Sequence, residues 1–143
     1  GTPGSKSWAI KRKDTSSRSK SLFRSFKLAG TFTDNLGNYG NWDAFVSSFV
    51  NEGKITKLDF SMRLEYQNKK LVYLQGYREE GTVVEAGVGR SIIIATDKEF
   101  KNLLNQKCVY SVKFLEESFF GKNKCKLNKE AIKSLKNIKE VNV

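Results

Sequence analysis

Between residues 57 and 66, polar and apolar side chains alternate without a break. Lys57, Asp59, Ser61, Arg63 and Glu65 form one set, and Leu58, Phe60, Met62, Leu64 and Tyr66 the other. A period of two predicts a strand with one buried and one solvated face. Residues 67–70 (QNKK) are turn-like, and residues 71–78 (LVYLQGYR) predict the returning strand of a hairpin. Upstream, residues 22–33 carry Phe23, Phe26, Leu28 and Phe32 among β-prone neighbours and predict a first strand. The Gly- and Asn-dense stretch 34–40 predicts a loop. Trp42, Phe45, Val46, Phe49 and Val50 then fall at i, i+3, i+4, i+7 and i+8. With Asn41 before them and Gly53 after, the spacing predicts a helix.

Downstream the pattern is weaker. Residues 79–89 (EEGTVVEAGVG) hold three glycines, which oppose a stable helix. Gly87-Val88-Gly89 superficially suggests a phosphate loop, but no GKS/T follows and no GxGxxG opens a helix. Residues 91–95 (SIIIA) predict a short buried strand. Residues 97–106 predict a helix with Phe100, Leu103 and Leu104 inward, and residues 108–115 (CVYSVKFL) fit either a helix or a strand. Asn128 caps a final helix with Ala131, Ile132, Leu135 and Ile138 on one side and Lys129, Lys133, Lys136 and Lys139 mainly on the other. These elements predict an α+β fold: a mainly antiparallel sheet with helices packed on one face. The expected organisation is a cloning remnant and disordered basic arm over residues 1–21, an α+β core over 22–120, and a basic C-terminal helix docked on the core over 121–143.

Charge changes this picture. The 143 residues carry a formal net charge of +11 and no histidine. The missing histidine excludes Ser-His-Asp triads, Cys-His pairs, HExxH sites and every His-ligated metal. The positive charge points toward an anionic partner. Lys11, Arg12, Lys13, Arg18, Lys20 and Arg24 concentrate it in the amino-terminal segment, as phosphate or lipid contacts or as an import signal. Arg63, Tyr73, Tyr77 and Arg78 interleave cations with aromatic rings on the predicted hairpin, with Tyr66 nearby, a combination suited to stacking unpaired bases while neutralising phosphates. A non-enzymatic nucleic-acid binder is the leading expectation. A structural, matrix- or coat-like protein on an anionic membrane or a genome, and a homo-oligomer, are compatible with the same charge. Cys108 and Cys125 lack CxxC spacing. They are expected to be reduced thiols of an intracellular protein, cytoplasmic or nuclear, with a single bridge left open. No apolar run approaches the ~20 residues of a membrane span.

One constellation carries a resemblance. Glu65 is followed by Tyr73-Leu74-Gln75-Gly76-Tyr77 and later by Tyr110-Ser111-Val112-Lys113. The set resembles the replication-initiator nuclease domain of small circular single-stranded DNA viruses. That family has an acidic residue on an antiparallel sheet, a His-Leu-Gln-Gly-Tyr motif on the next strand, and Tyr-x-x-Lys on a later helix. The resemblance implies a DNA nickase with Tyr110 as nucleophile and Lys113 as its electrostatic aid. It also implies Glu65 and Gln75 as ligands of Mg²⁺ or Mn²⁺. Tyr73 stands where the family carries its metal-binding histidine, so the implied metal site is weakened.

Overall fold

A computed structural model describes residues 6–11, 21–78 and 86–138. Eight strands follow one another: β1 (Lys6–Lys11), β2 (Ser21–Thr33), β3 (Tyr39–Asn51), β4 (Lys54–Tyr66), β5 (Leu71–Arg78), β6 (Ala86–Thr96), β7 (Lys107–Leu115) and β8 (Ser118–Lys126). A single α-helix, α1 (Lys129–Lys136), ends the described chain. Each strand pairs antiparallel with the next, in the order β1 to β8. The strands β2 to β8 curl into a half-barrel, and β1 adds a strand at its β2 edge. Among the described residues, no helix is long and apolar enough to cross a membrane.

This architecture overturns the expected α+β fold. Strands make up 68% of the structure against 13% helix, so no layer of helices covers the sheet. The helix expected after Asn41 is β3. Its inner face holds Trp42, Ala44, Val46, Ser48 and Val50, all buried and two residues apart, while Phe45 points outward. Both periods run through the same segment, because Val46 and Val50 satisfy either one. Full pairing of β3 with β2 on one side and with β4 on the other settles the matter. Gly53 misled for a related reason. A positive φ suits a helix C-terminus and a tight hairpin equally. Here Glu52 (φ 51°) and Gly53 (φ 78°) form the two-residue turn between β3 and β4.

Three further differences follow. Only Lys98–Leu103 of the second expected helix is helical, as a short 3-10 segment burying Phe100 and Leu103. Residues 108–115 resolve as strand β7, and β8 occupies a stretch expected to lead into the tail helix. In the expected disordered arm, Lys6–Lys11 forms β1 against β2, in register from Lys6 with Ala29 to Lys11 with Arg24. The rest of the arm lies outside the described residues. Strands β4 and β5 agree with expectation in their pairing and in the inward set Leu58, Phe60, Met62, Leu64 and Tyr66.

The interior is filled. One cluster gathers Tyr66, Val72, Leu74, Ile93, Phe100, Leu103, Cys108, Ala131 and Leu135, so α1 and the 3-10 segment close one end of the half-barrel. A second cluster holds Leu28, Trp42, Ala44, Val46, Val50, Ile55 and Leu58. Opposite walls meet across it: Trp42 of β3 lies 5.5 Å from Phe119 of β8, and Phe60 of β4 lies 5.0 Å from Tyr110 of β7, measured between ring centroids. Glycines make room for the rings. A Cβ on Gly76 would collide with Phe60, and one on Gly89 with Tyr110. Register shifts in β3–β4 and β5–β6 add the local bend that a curled sheet needs.

The two cysteines form a disulfide, Cys108–Cys125, between directly opposed residues of β7 and β8. This replaces the expected pair of reduced thiols. The sequence separation of 17 offers no spacing motif, and the pairing becomes visible only once β7 and β8 are in register.

Candidate nucleic-acid interface

The outer face of β7 and β8 is a cationic surface. Strand alternation places Lys107, Val109, Ser111 and Lys113 of β7 outward, and Phe120, Lys122, Lys124 and Lys126 of β8 beside them. The register opposes Lys107 to Lys126, Val109 to Lys124, Ser111 to Lys122 and Lys113 to Phe120. Like charges directly opposite one another destabilise an antiparallel pair by a few tenths of a kcal/mol or more. Ion pairs among the described residues are Lys57–Asp59, Arg63–Asp43, Lys69–Glu65 and Lys70–Glu99, and none uses a lysine of β7 or β8. A shallow groove of about 580 Å³ crosses this surface. Its exposed side chains are Val88, Ser111, Lys113, Phe120 and Lys122, which join two ammonium groups, one hydroxyl and an aromatic ring 49% exposed. In the helix α1, Lys129, Lys133 and Lys136 add further exposed cations.

The residues expected from the sequence are distributed differently. Lys11 belongs to β1, and Arg12, Lys13, Arg18 and Lys20 lie outside the described residues. Arg24 is half-buried on the inner side of β2. Arg78 is buried at 5% exposure, its guanidinium packed over Gly87, so it faces the interior instead of a solvated sheet face. Tyr66 is buried in the core, while Tyr73 is half-buried and Tyr77 exposed on the outer face. Arg63 is outward but committed: Nε and Nη2 donate to the two Asp43 carboxylate oxygens at 2.9 and 3.0 Å. That hydrogen-bonded carboxylate raises the Arg63 pKa above its ordinary value, and Tyr73 adds a smaller contribution in the same direction. Such an arginine is less available to a phosphate than the lysines of β8.

The nickase set is not assembled. Tyr110 points inward against Phe60, whereas Lys113, three residues along the same strand, points outward. Glu65 opposes Leu71, while Gln75 opposes Ser61. Four residues of β4 therefore separate their levels, roughly 13 Å along the strand. Glu65 is engaged by Lys69 at 3.9 Å. Among the described residues, no cluster of His, Cys, Asp and Glu is arranged to hold a metal ion. The implied Mg²⁺ or Mn²⁺ does not fit these residues.

The cationic stripe had a signal in the sequence. Lys122, Lys124 and Lys126 repeat with period two, which is a strand period. Phe120 and Lys107 join them only through the register. Comparison with family models, curated proteins and solved structures finds no match for this chain.

Proposed function

We propose that the protein is a non-enzymatic nucleic-acid-binding module that holds a single strand against the outer face of β6, β7 and β8. The observation that carries this reading is the cluster of outward lysines on β7 and β8, with Lys107 directly opposite Lys126 and no carboxylate partner among the described residues, beside the exposed ring of Phe120. A polyanion turns that internal repulsion into attraction. Phosphates displace condensed counterions as they meet Lys107, Lys113, Lys122, Lys124 and Lys126. Phe120 offers a base a stacking surface that does not depend on sequence. A small anion would need a converging pocket; an open groove on a curled sheet suits an extended chain better.

The test is a titration of a fluorescent single-stranded oligonucleotide across a range of salt concentrations. The triple variant Lys122→Gln, Lys124→Gln, Lys126→Gln should lower the slope of log affinity against log salt by about 2, at ~0.7 per charge. Phe120→Ala should cost about 1–3 kcal/mol with the slope unchanged. All four residues are exposed, so far-UV circular dichroism should stay native. Absence of binding at low salt, or a slope that the triple variant does not change, rejects the reading.

A further inference from the structure

A second groove, of about 540 Å³, lies on the outer face of β3, β4 and β5. Two cross-strand rows form it. Phe45, Ser61 and Gln75 are in register, as are Ser47, Asp59 and Tyr77. All six side chains are outward. The ring of Phe45 is 64% exposed and that of Tyr77 48%, and they stand at diagonally opposite ends. Between them lie two hydroxyls, one amide and one carboxylate. The backbone of β5 at Gly76, between Gln75 and Tyr77, forms part of the floor. Cations stand at the rim. The Lys27 ammonium lies 5.6 Å from the Phe45 ring centroid on the β2 side, and Lys57 lies 3.8 Å from Asp59.

The chemistry of this groove differs from that of the lysine face. Asp59, paired with Lys57 at 3.8 Å but well exposed, keeps carboxylate oxygens open to a donor, so an uncharged, flat-faced group that carries a hydrogen-bond donor suits the groove better than a phosphate. The rim lysines add the requirement that the same ligand carry negative charge outside the groove. A nucleotide meets both conditions: its base enters and its phosphate remains with Lys27 and Lys57. We propose that this groove reads a base edge and favours bases with an exocyclic amino group, namely cytosine, adenine and guanine, over thymine and uracil. Asp59 accepts from the amino group, Gln75 supplies a donor and an acceptor beside it, and Tyr77 and Phe45 stack on the ring. This rests on the nucleic-acid reading above and adds base preference to it.

The experiment compares equal-length deoxyoligonucleotides of cytosine, adenine and thymine, each titrated at low and raised salt against the whole chain. The native protein should bind the cytosine and adenine strands roughly tenfold more tightly than the thymine strand, as a well-placed base contact allows. Asp59→Ala should bring that ratio toward one, with the thymine strand bound no more weakly than before. Tyr77→Ala and Phe45→Ala should each weaken the cytosine and adenine strands roughly tenfold, with the salt slope unchanged. Salt-dependent binding with equal affinity for cytosine and thymine strands overturns the base-reading groove and leaves the lysine face standing. No binding of any strand overturns both. Displacement of the bound oligonucleotide by a neutral soluble oligosaccharide, abolished in Tyr77→Ala, overturns the nucleotide assignment in favour of a sugar.

Discussion

Reduction of the Cys108–Cys125 disulfide isolates the contribution of one covalent bond, because both sulfurs stay in place and no cavity is cut. The bridge closes a chain segment with a sequence separation of 17. In the chain-entropy model, a loop of that size restricts the unfolded ensemble by about 3 kcal/mol. With an m-value of about 1.5 kcal/mol/M in urea, the unfolding midpoint should fall by about 2 M on reduction. Fluorescence follows the transition well. Trp42 of β3 packs on Phe119 of β8, so its emission reports on loss of the strand that the bridge secures. Parallel alkylation under denaturing conditions, read by mass spectrometry, should find no reactive thiol before reduction and two afterwards. Equal midpoints in the two states would refute the argument that the bridge restrains the unfolded chain. Alkylation of both cysteines in the untreated protein would refute the pairing itself.

Other perturbations test the packing around α1 and the core. Burial, and to a smaller degree the charge of Asp34, raises the Tyr66 pKa above its ordinary value of about 10. The fold therefore holds the neutral phenol: its contribution is complete below about pH 10 and is lost as pH rises beyond that. Urea midpoints should fall on alkaline titration, and Tyr66→Phe should blunt the fall; an identical alkaline profile in the variant would reject Tyr66 as its source. Asn38, 5% exposed, donates from Nδ2 to the Leu135 carbonyl and to Asp34, each at 2.9 Å, and accepts from Gln67 at 2.7 Å. Asn38→Ala should cost about 2–3 kcal/mol and raise hydrogen exchange selectively in α1, since it leaves buried partners unmet; uniform protection across α1 would count against that latch. Asn128 accepts from the Ala131 N–H at 2.9 Å, so Asn128→Ala should destabilise by about 1 kcal/mol in the same urea assay.

The parts of the fold legible in the sequence are those where one period fits and the other does not. The residues of β4 alternate so strictly that no helical stripe can be drawn through them, and the inward set came out as expected. Helix α1 has its cap at Asn128 and its buried Ala131 and Leu135 on a clean 3.6-residue stripe. By contrast, β3 carries apolar residues on both faces, since Phe45 and Phe49 are outward neighbours of inward Val46 and Val50. Doubled apolarity erases the alternation and leaves a spurious helical spacing. Of these outward aromatics, Phe45 lines the groove on β3, β4 and β5 and Phe49 packs on Phe23, so the sequence is hardest to read where the surface departs from an ordinary solvated face. The same holds at Arg78. Its charge suggests a surface position, but Gly87 of the neighbouring strand leaves the space that its guanidinium fills.

Lysines on an exposed strand also have a purely protective use, since they discourage edge-to-edge pairing of sheets. Among the described residues, strand β8 pairs only with β7, so Lys122, Lys124 and Lys126 suit that purpose. Edge protection does not extend to the neighbouring strand, however. Lys107 and Lys113 lie on β7, which is paired on both sides and presents no edge. Opposing Lys107 to Lys126 lowers the stability of the very hairpin that an edge charge would guard. Glu or Gln at position 107 would leave the edge equally blunted and remove the repulsion. Phe120 points the same way: an exposed ring on an edge strand promotes association instead of preventing it. A binding face accounts for the lysines of β7, the opposition of Lys107 to Lys126 and the exposed ring together, whereas edge protection accounts only for the lysines of β8.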